Sequence, residues 1–203
     1  MGALRKLFGP SKAEVWAQLA GETGATFVEG GFFGKDKVVA RVRDWTVTLD
    51  TVVVSTGKTT VVYTRMRAPY VNPDGFRFAV YRKSVFSGLG RLLGMQDVTV
   101  GVPDIDEEFV IKGGDESKLR ALFADPGLCE LIRAQPSIHL QVKDDEGWFG
   151  THFPEGVDEL HFQVLGVIKD IPRLRALFDL FAEVLDRLCL IGSAYEGDPG
   201  VTL

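Results

Sequence analysis

Residues 45–68 read WTVTLDTVVVSTGKTTVVYTRMRA, and this stretch decides the fold class. Two runs rich in Val, Thr and aromatics, WTVTLDTVVV and TTVVYTRMRA, flank STGK, which is turn chemistry. Working outward, ATFVEG, KVVARVR and FRFAVYRK repeat the period of two, separated by GGFFGKD and NPDG. No helical crossover fits between these runs, so residues 25–82 predict an antiparallel meander. The Gly-rich SVFSGLGRLLGMQ that follows reads as loop with one short helical turn. Upstream, SKAE at 11–14 is a capping box that opens a helix with Val15, Trp16 and Leu19 inward. Gly21 and Gly24 end it, and MGALRKLFG before it is a short amphipathic leader.

The second half has a different rhythm. EEFVIK reads as a strand, DESKLRALFAD and PGLCELIRA as short helices, the latter with Pro126 at its start. SIHLQVK, GWFGTHF and ELHFQVLGVI read as three strands joined by DDEG and PEGVD. DIPRLRALFDLFAEVLDRL is a long amphipathic helix: Ile171, Leu174, Phe178, Phe181, Leu185 and Leu188 step 3-4-3-4-3. Leu177 and Val184 widen the stripe beyond a coiled-coil seam, so it is suited to lie across a sheet. The expected fold is α+β: an antiparallel meander with an N-terminal helix, short helices, a second three-strand meander and the long closing helix. Residues 1–203 are expected to form one compact unit. Its candidate subdivisions are a basic strand-rich part, 11–100, and an acidic α+β part, 101–192, followed by a loose tail, 193–203.

Composition narrows the class. The chain has 45% hydrophobic and 25% charged residues, which excludes a disordered chain, a collagen, a disulfide scaffold and a membrane bundle. No run of about 18 apolar residues occurs, and the leader is too short for a signal sequence. Cys129 and Cys189 lie in apolar helical stretches without metal-ligand spacing. A soluble protein of a reducing, cytoplasmic compartment is expected. The net charge of −5 hides an imbalance: residues 1–100 carry 14 basic and 8 acidic side chains, residues 101–203 carry 9 and 20. Two halves that pack together and neutralise each other account for this, as does an anion-binding half beside an acidic one.

The run from Asp97 to Leu190 resembles the C-terminal part of an uncharacterised bacterial family of cytosolic and membrane-attached proteins, known only as a domain of unknown function. DIDEEFVIKGGDES, the LRALF and PGLCELI helices, the strand pair around DDEG and the closing helix carry the resemblance. That family tends to have Phe-Asp where this chain has Ile105-Asp106. The resemblance implies no activity, cofactor or site residue.

Several motifs resolve into structure. GGDE at 113–116 matches the signature of diguanylate cyclases, but here it opens a helix, with Asp115 or Ser117 as its cap. GLGRLLG at 88–94 lacks the Lys-Ser/Thr end of a phosphate loop. DIDEE at 104–108 and DDEG at 144–147 lack the ligand spacing of a Ca²⁺ loop; DDEG reads as a turn and DIDEE as a solvated loop or a surface that meets the basic half. No nucleophile elbow is present.

Two constellations point to chemistry. If GWFGTHF pairs with the strands on both sides, His139, His152 and His161 stand in one row on an outward face. Three imidazoles about 5 Å apart could then hold zinc. Arg41 and Arg43 share one strand face, and Arg65 and Arg67 share another with Tyr63, with Arg77 and Tyr81 on a third strand. Together they make a candidate surface for anions or a stacked nucleic acid, which the acidic overall balance and the missing RNP-like motif argue against. With no acid/base or nucleophile set, the expected function is a non-catalytic binding or regulatory protein whose partner is another protein. A small zinc protein or enzyme on the histidine row and an anion binder on the basic sheet are the alternatives.

Overall fold

The computed structural model describes residues 9–30, 35–55, 57–85, 95–144 and 152–203. The leader 1–8, most of the Gly-rich stretch and the segment 145–151 lie outside the described residues. In chain order the elements are α1 (Lys12–Thr23), β1 (Thr26–Val28), β2 (Lys37–Val42), β3 (Trp45–Ser55), β4 (Thr60–Val71), β5 (Phe78–Arg82) and β6 (Gln96–Asp97). There follow α2 (Pro103–Glu108), β7 (Phe109–Gly113), α3 (Glu116–Phe123), α4 (Pro126–Arg133), β8 (His139–Lys143), β9 (Val157–Leu165) and α5 (Ile171–Leu190).

The α+β expectation holds: among the described residues five α-helices accompany one nine-stranded sheet, and every neighbouring pair of its strands is antiparallel. The helix starts follow their caps. Ser11 and Glu14 close the capping box, Asp115 accepts from the Lys118 N–H, and Asp125 and Asp170 do the same for α4 and α5. DIDEE does not stay a loop. Pro103 starts α2, and Asp106 accepts the backbone N–H groups of Val100 and Gly101.

The strand order corrects the two-meander expectation. The order is β1-β2-β3-β4-β9-β8-β5-β7-β6, so the chain leaves β4, skips two strand positions and lays down β5. The β8–β9 pair of the acidic half fills the gap. Strands of the two halves therefore interleave in one sheet. At a spacing of about 4.8 Å the skipped crossing spans roughly 14 Å, bridged by residues 72–77. Asp158, buried at the start of β9, holds that crossing in place. It accepts from Asn72 Nδ2 at 2.6 Å and from Arg77 Nε at 3.1 Å, while Arg77 Nη1 reaches Asp144 at 2.8 Å.

One sheet face is apolar and carries the helices. Leu49, Met66, Phe162, Leu140, Val80 and Ile111 line up across it and share one core with Trp16, Leu119, Leu128, Phe178 and Phe181. The α5 stripe lies on this face as its width predicts. Arg43 in the β2–β3 turn has a φ of 53°, an unusual backbone for a side chain with Cβ. Its guanidinium pairs with Glu183 and Asp186 of α5, and Trp45 Nε1 donates to Asp186 at 2.6 Å.

Two stability changes follow. Phe181→Ala removes a fully buried ring from the helix–sheet interface and should cost about 3–5 kcal/mol, read by equilibrium urea unfolding. Asp158→Ala leaves Arg77 and Asn72 without their shared acceptor and should cost about 3 kcal/mol, the loss typical of a broken buried charge pair. The same titration measures it, and a loss below about 1 kcal/mol would remove Asp158 from the topology argument.

Candidate functional site

The opposite sheet face is polar. Register places Asp50 beside Arg65, Thr48 beside Arg67, Arg67 beside His161, and His161 beside Gln141. Tyr81 stands beside His139, at a ring separation of 6.3 Å and 85° between planes. This row is not the solvated surface that alternation alone predicts, because Glu159 and His161 are 0% and 2% exposed and Arg67 is 5% exposed.

The row neutralises itself. Asp50 accepts from Arg65 Nε at 2.8 Å, Arg65 Nη2 at 2.7 Å and Arg67 Nη2 at 2.7 Å. Burial works to raise the Asp50 carboxyl, but the bonds and charges of Arg65 and Arg67 outweigh it and hold its pKa below the ordinary value. His161 Nδ1 lies 2.8 Å from Glu159 Oε1, and Nε2 lies 3.3 Å from Gln163 Oε1. Two oxygen neighbours suit a doubly protonated ring, yet burial, aided by Lys143, Arg65 and Arg67, pushes His161 down to about 3. The neutral ring keeps its proton on Nδ1 for the shorter contact. A half-turn of the Gln163 amide then offers an N–H to Nε2. Burial, and then the repulsion that a second protonated ring at His161 and the charge of Lys143 would set up, push His139 down to about 4.

The predicted site residues are thus partly gathered and partly dispersed. His139 and His161 do share a face. His152 does not stand between them, because β8 pairs directly with β9, Leu140 opposite Phe162 and Lys143 opposite Glu159. Apolar partners on the core face fix that register, and His152 is exposed outside any strand. Among the described residues no group of three or more His, Cys, Asp or Glu converges as metal ligands. The four arginines do not form one exposed surface either. Arg65 and Arg67 are spent on Asp50 and Arg43 on α5, whereas Arg41 is 65% exposed and pairs loosely with Asp44 at 3.9 Å. Part of the charge imbalance is consumed between the halves: Arg77 meets Asp144 and Asp158, Arg82 meets Glu108, and Arg43 meets Glu183 and Asp186.

One opening on the polar face is not foreseen by the sequence pattern. The β3–β4 ladder stops at Thr48–Arg67. Continued, it would set Thr46 opposite Pro69, which has no N–H to give. The strands part there, and the C-terminal residues enter the split. Ser193 and Ala194 are buried, and Tyr195 N–H donates to the Val71 carbonyl at 3.1 Å. Residues 196–203 then run over the polar face to Lys37, whose Nζ donates to the Leu203 oxygen at 2.7 Å. The tail expected to be loose is docked. Between it and a floor of Lys37, Val39, Arg41, Thr46, Thr48 and Pro69 lies a groove of about 660 Å³. Its floor carries Lys37 and Arg41, its rim Asp44, and its tail side Glu196 and Asp198.

Nothing described assembles a nucleophile. Burial pushes the thiols of Cys129 and Cys189 up, and Cys129 Sγ is turned to the Phe123 carbonyl at 3.3 Å. Both ring nitrogens of His161 are taken by side chains of its own strand. No helix among the described residues is long and apolar enough to cross a membrane.

No protein-family profile and no curated protein matches this chain. Among solved structures it is similar to the mycobacterial trehalose monomycolate transport factor A, TtfA. Identity is 8%, the match covers 85% of this chain and 95% of that chain, and the TM-score is 0.47. A likeness of that size carries neither fold nor ligand from one protein to the other.

The buried imidazoles give the polar row a pH signature. In the unfolded chain both titrate near 6.5, and in the folded chain near 4 and near 3. Their contribution is complete above pH 6.5 and is lost as pH falls towards 4, because only the unfolded state takes up the protons. Each unit below 6.5 costs about 1.4 kcal/mol per histidine. Urea unfolding at about pH 7 and pH 5.5 should differ by about 2–3 kcal/mol, and His161→Gln should lower the slope by about one proton.

Proposed function

We propose that this protein is a non-catalytic binding or regulatory protein, and that its ligand sits in the groove between β2–β4 and residues 196–203. The observation that carries this reading is the groove itself. It opens where Pro69 ends the β3–β4 ladder, and it places apolar surface from Val39 and Pro69 beside the cationic heads of Lys37 and Arg41. A cleft that mixes apolar walls with a few convergent polar groups is the usual form of a ligand site. Of the anion-binding arginines read from the sequence, Arg41 alone lines the groove, so a ligand's negative group meets Arg41 and Lys37 and not Arg43, Arg65 or Arg67.

An amphipathic anion tests the site. The dye 1-anilinonaphthalene-8-sulfonate should bind the native chain at one site with enhanced fluorescence, and Val39→Trp, which fills the floor, should abolish it while near-UV circular dichroism stays native. Unchanged binding in Val39→Trp, or no binding to the native chain, would overturn the reading.

A further inference from the structure

The tail shows what kind of molecule the split in the sheet accepts. Beyond Arg67 the side of β4 that faced β3 has lost its ladder, and the backbone of Tyr195 takes up part of it through the Val71 carbonyl. From there residues 196–203, bent at Glu196–Gly197 and again at Gly200, cross β3 and β2 and bond a backbone oxygen to Lys37. A peptide therefore already lies on this floor, held by a strand-edge hydrogen bond at one end and a lysine at the other. Those two bonds are joined by a backbone bond from Glu196 to the Cys189 sulfur, and Tyr195 is exposed. Glu196 and Asp198 ride opposite a floor that carries Lys37 and Arg41, with Asp44 at its rim in a loose pair with Arg41.

Resting on the groove as the binding site, we propose that its ligand is an extended, acidic peptide segment of a partner protein, and that residues 195–203 are its intramolecular competitor. The partner strand would add to the open edge of β4 as the tail does, with main-chain bonds giving affinity and acidic side chains reading Lys37 and Arg41, the mode of strand addition to a sheet edge. A tethered competitor sets the apparent affinity: the partner binds only the fraction of molecules whose tail is released, so affinity falls by that fraction. Loosening the tether lowers the tail's effective concentration and restores affinity without any new contact.

The test uses a fluorescein-labelled synthetic peptide of residues 195–203, YEGDPGVTL, followed by anisotropy. It should bind a chain ending at Ala194, which keeps the buried Ser193 and Ala194, at least ten-fold more tightly than the full chain. A Gly/Ser linker inserted after Ala194 in the full chain, which retains every residue of the tail, should give an intermediate affinity and guards against a shortened chain that fails to fold. Lys37→Glu in the shortened chain should weaken binding about ten-fold, and added salt should weaken it further. Equal affinity for full and shortened chains would overturn the proposal. So would no peptide binding to a shortened chain that still binds 1-anilinonaphthalene-8-sulfonate, since the groove would then be a ligand site with a purely structural tail. Loss of both probes from a natively folded chain would overturn the groove reading and this inference with it.

Discussion

The arrangement of the whole sheet depends on the carboxylate of Asp158. Between β4 and β5 the chain must cross an interval two strands wide, and nothing in the local sequence of 72–77 compels it to do so. Asp158 supplies the compulsion. Sitting at the first positions of β9, it binds Asn72 as the chain leaves β4 and Arg77 as it reaches β5. The two ends of the crossing are thereby tied to the strand that fills the gap. The acidic half delivers that strand, so the same contact joins the electrostatic asymmetry of the sequence to its topology. An isolated basic meander would close β4 onto β5, and the carboxylate favours the open interval because it satisfies a cation and an amide that a direct pairing would leave to water.

Filling the gap from the other half has a cost on the polar face. On β4 and β9 the side chains of Arg67, Glu159 and His161, which alternation assigns to solvent, are enclosed. Enclosure of single charges would be severely unfavourable. The sequence meets this with groups that satisfy one another: one aspartate between two arginines, and a neutral imidazole between a carboxylate and an amide. The depressed basicity of His139 and His161 is the consequence of that enclosure and needs no catalytic role to explain it.

What the sequence made legible is what short-range chemistry decides. The capping box at Ser11, the Asp115 cap, Pro126 at the start of α4 and the wide stripe of α5 all act within a few residues, and each stands where the pattern put it. The three-histidine row failed because it depended on pairing across two loops. Core partners, Leu140 against Phe162 and Val142 against Leu160, fixed a direct β8–β9 register that no reading of DDEG or PEGVD could supply. The arginine surface failed for a related reason. Period two correctly put Arg65 and Arg67 on one face, but the same period put Asp50 beside them, and the partnership appears only when β3 and β4 are aligned.

The groove carried a signal of its own in Pro69. A proline in a run otherwise paired on both sides cannot complete a ladder, so it marks an edge or a break. Placing the end of that strand at Ala68 hides the signal, whereas continuing it to Val71 makes the proline an interior residue that demands an explanation. The explanation is a parted sheet: β3 stays with β2 below Thr48, β4 stays with β9, and the carbonyl of Val71 is left facing the space between. An exposed strand edge inside a sheet is a site for another strand. The tail of the same chain takes up part of that edge, through the single backbone bridge between Tyr195 and Val71. A break forced by one imino acid thus accounts for the position of the cleft, for the docking of the C-terminal residues, and for the backbone geometry that any competing strand must match.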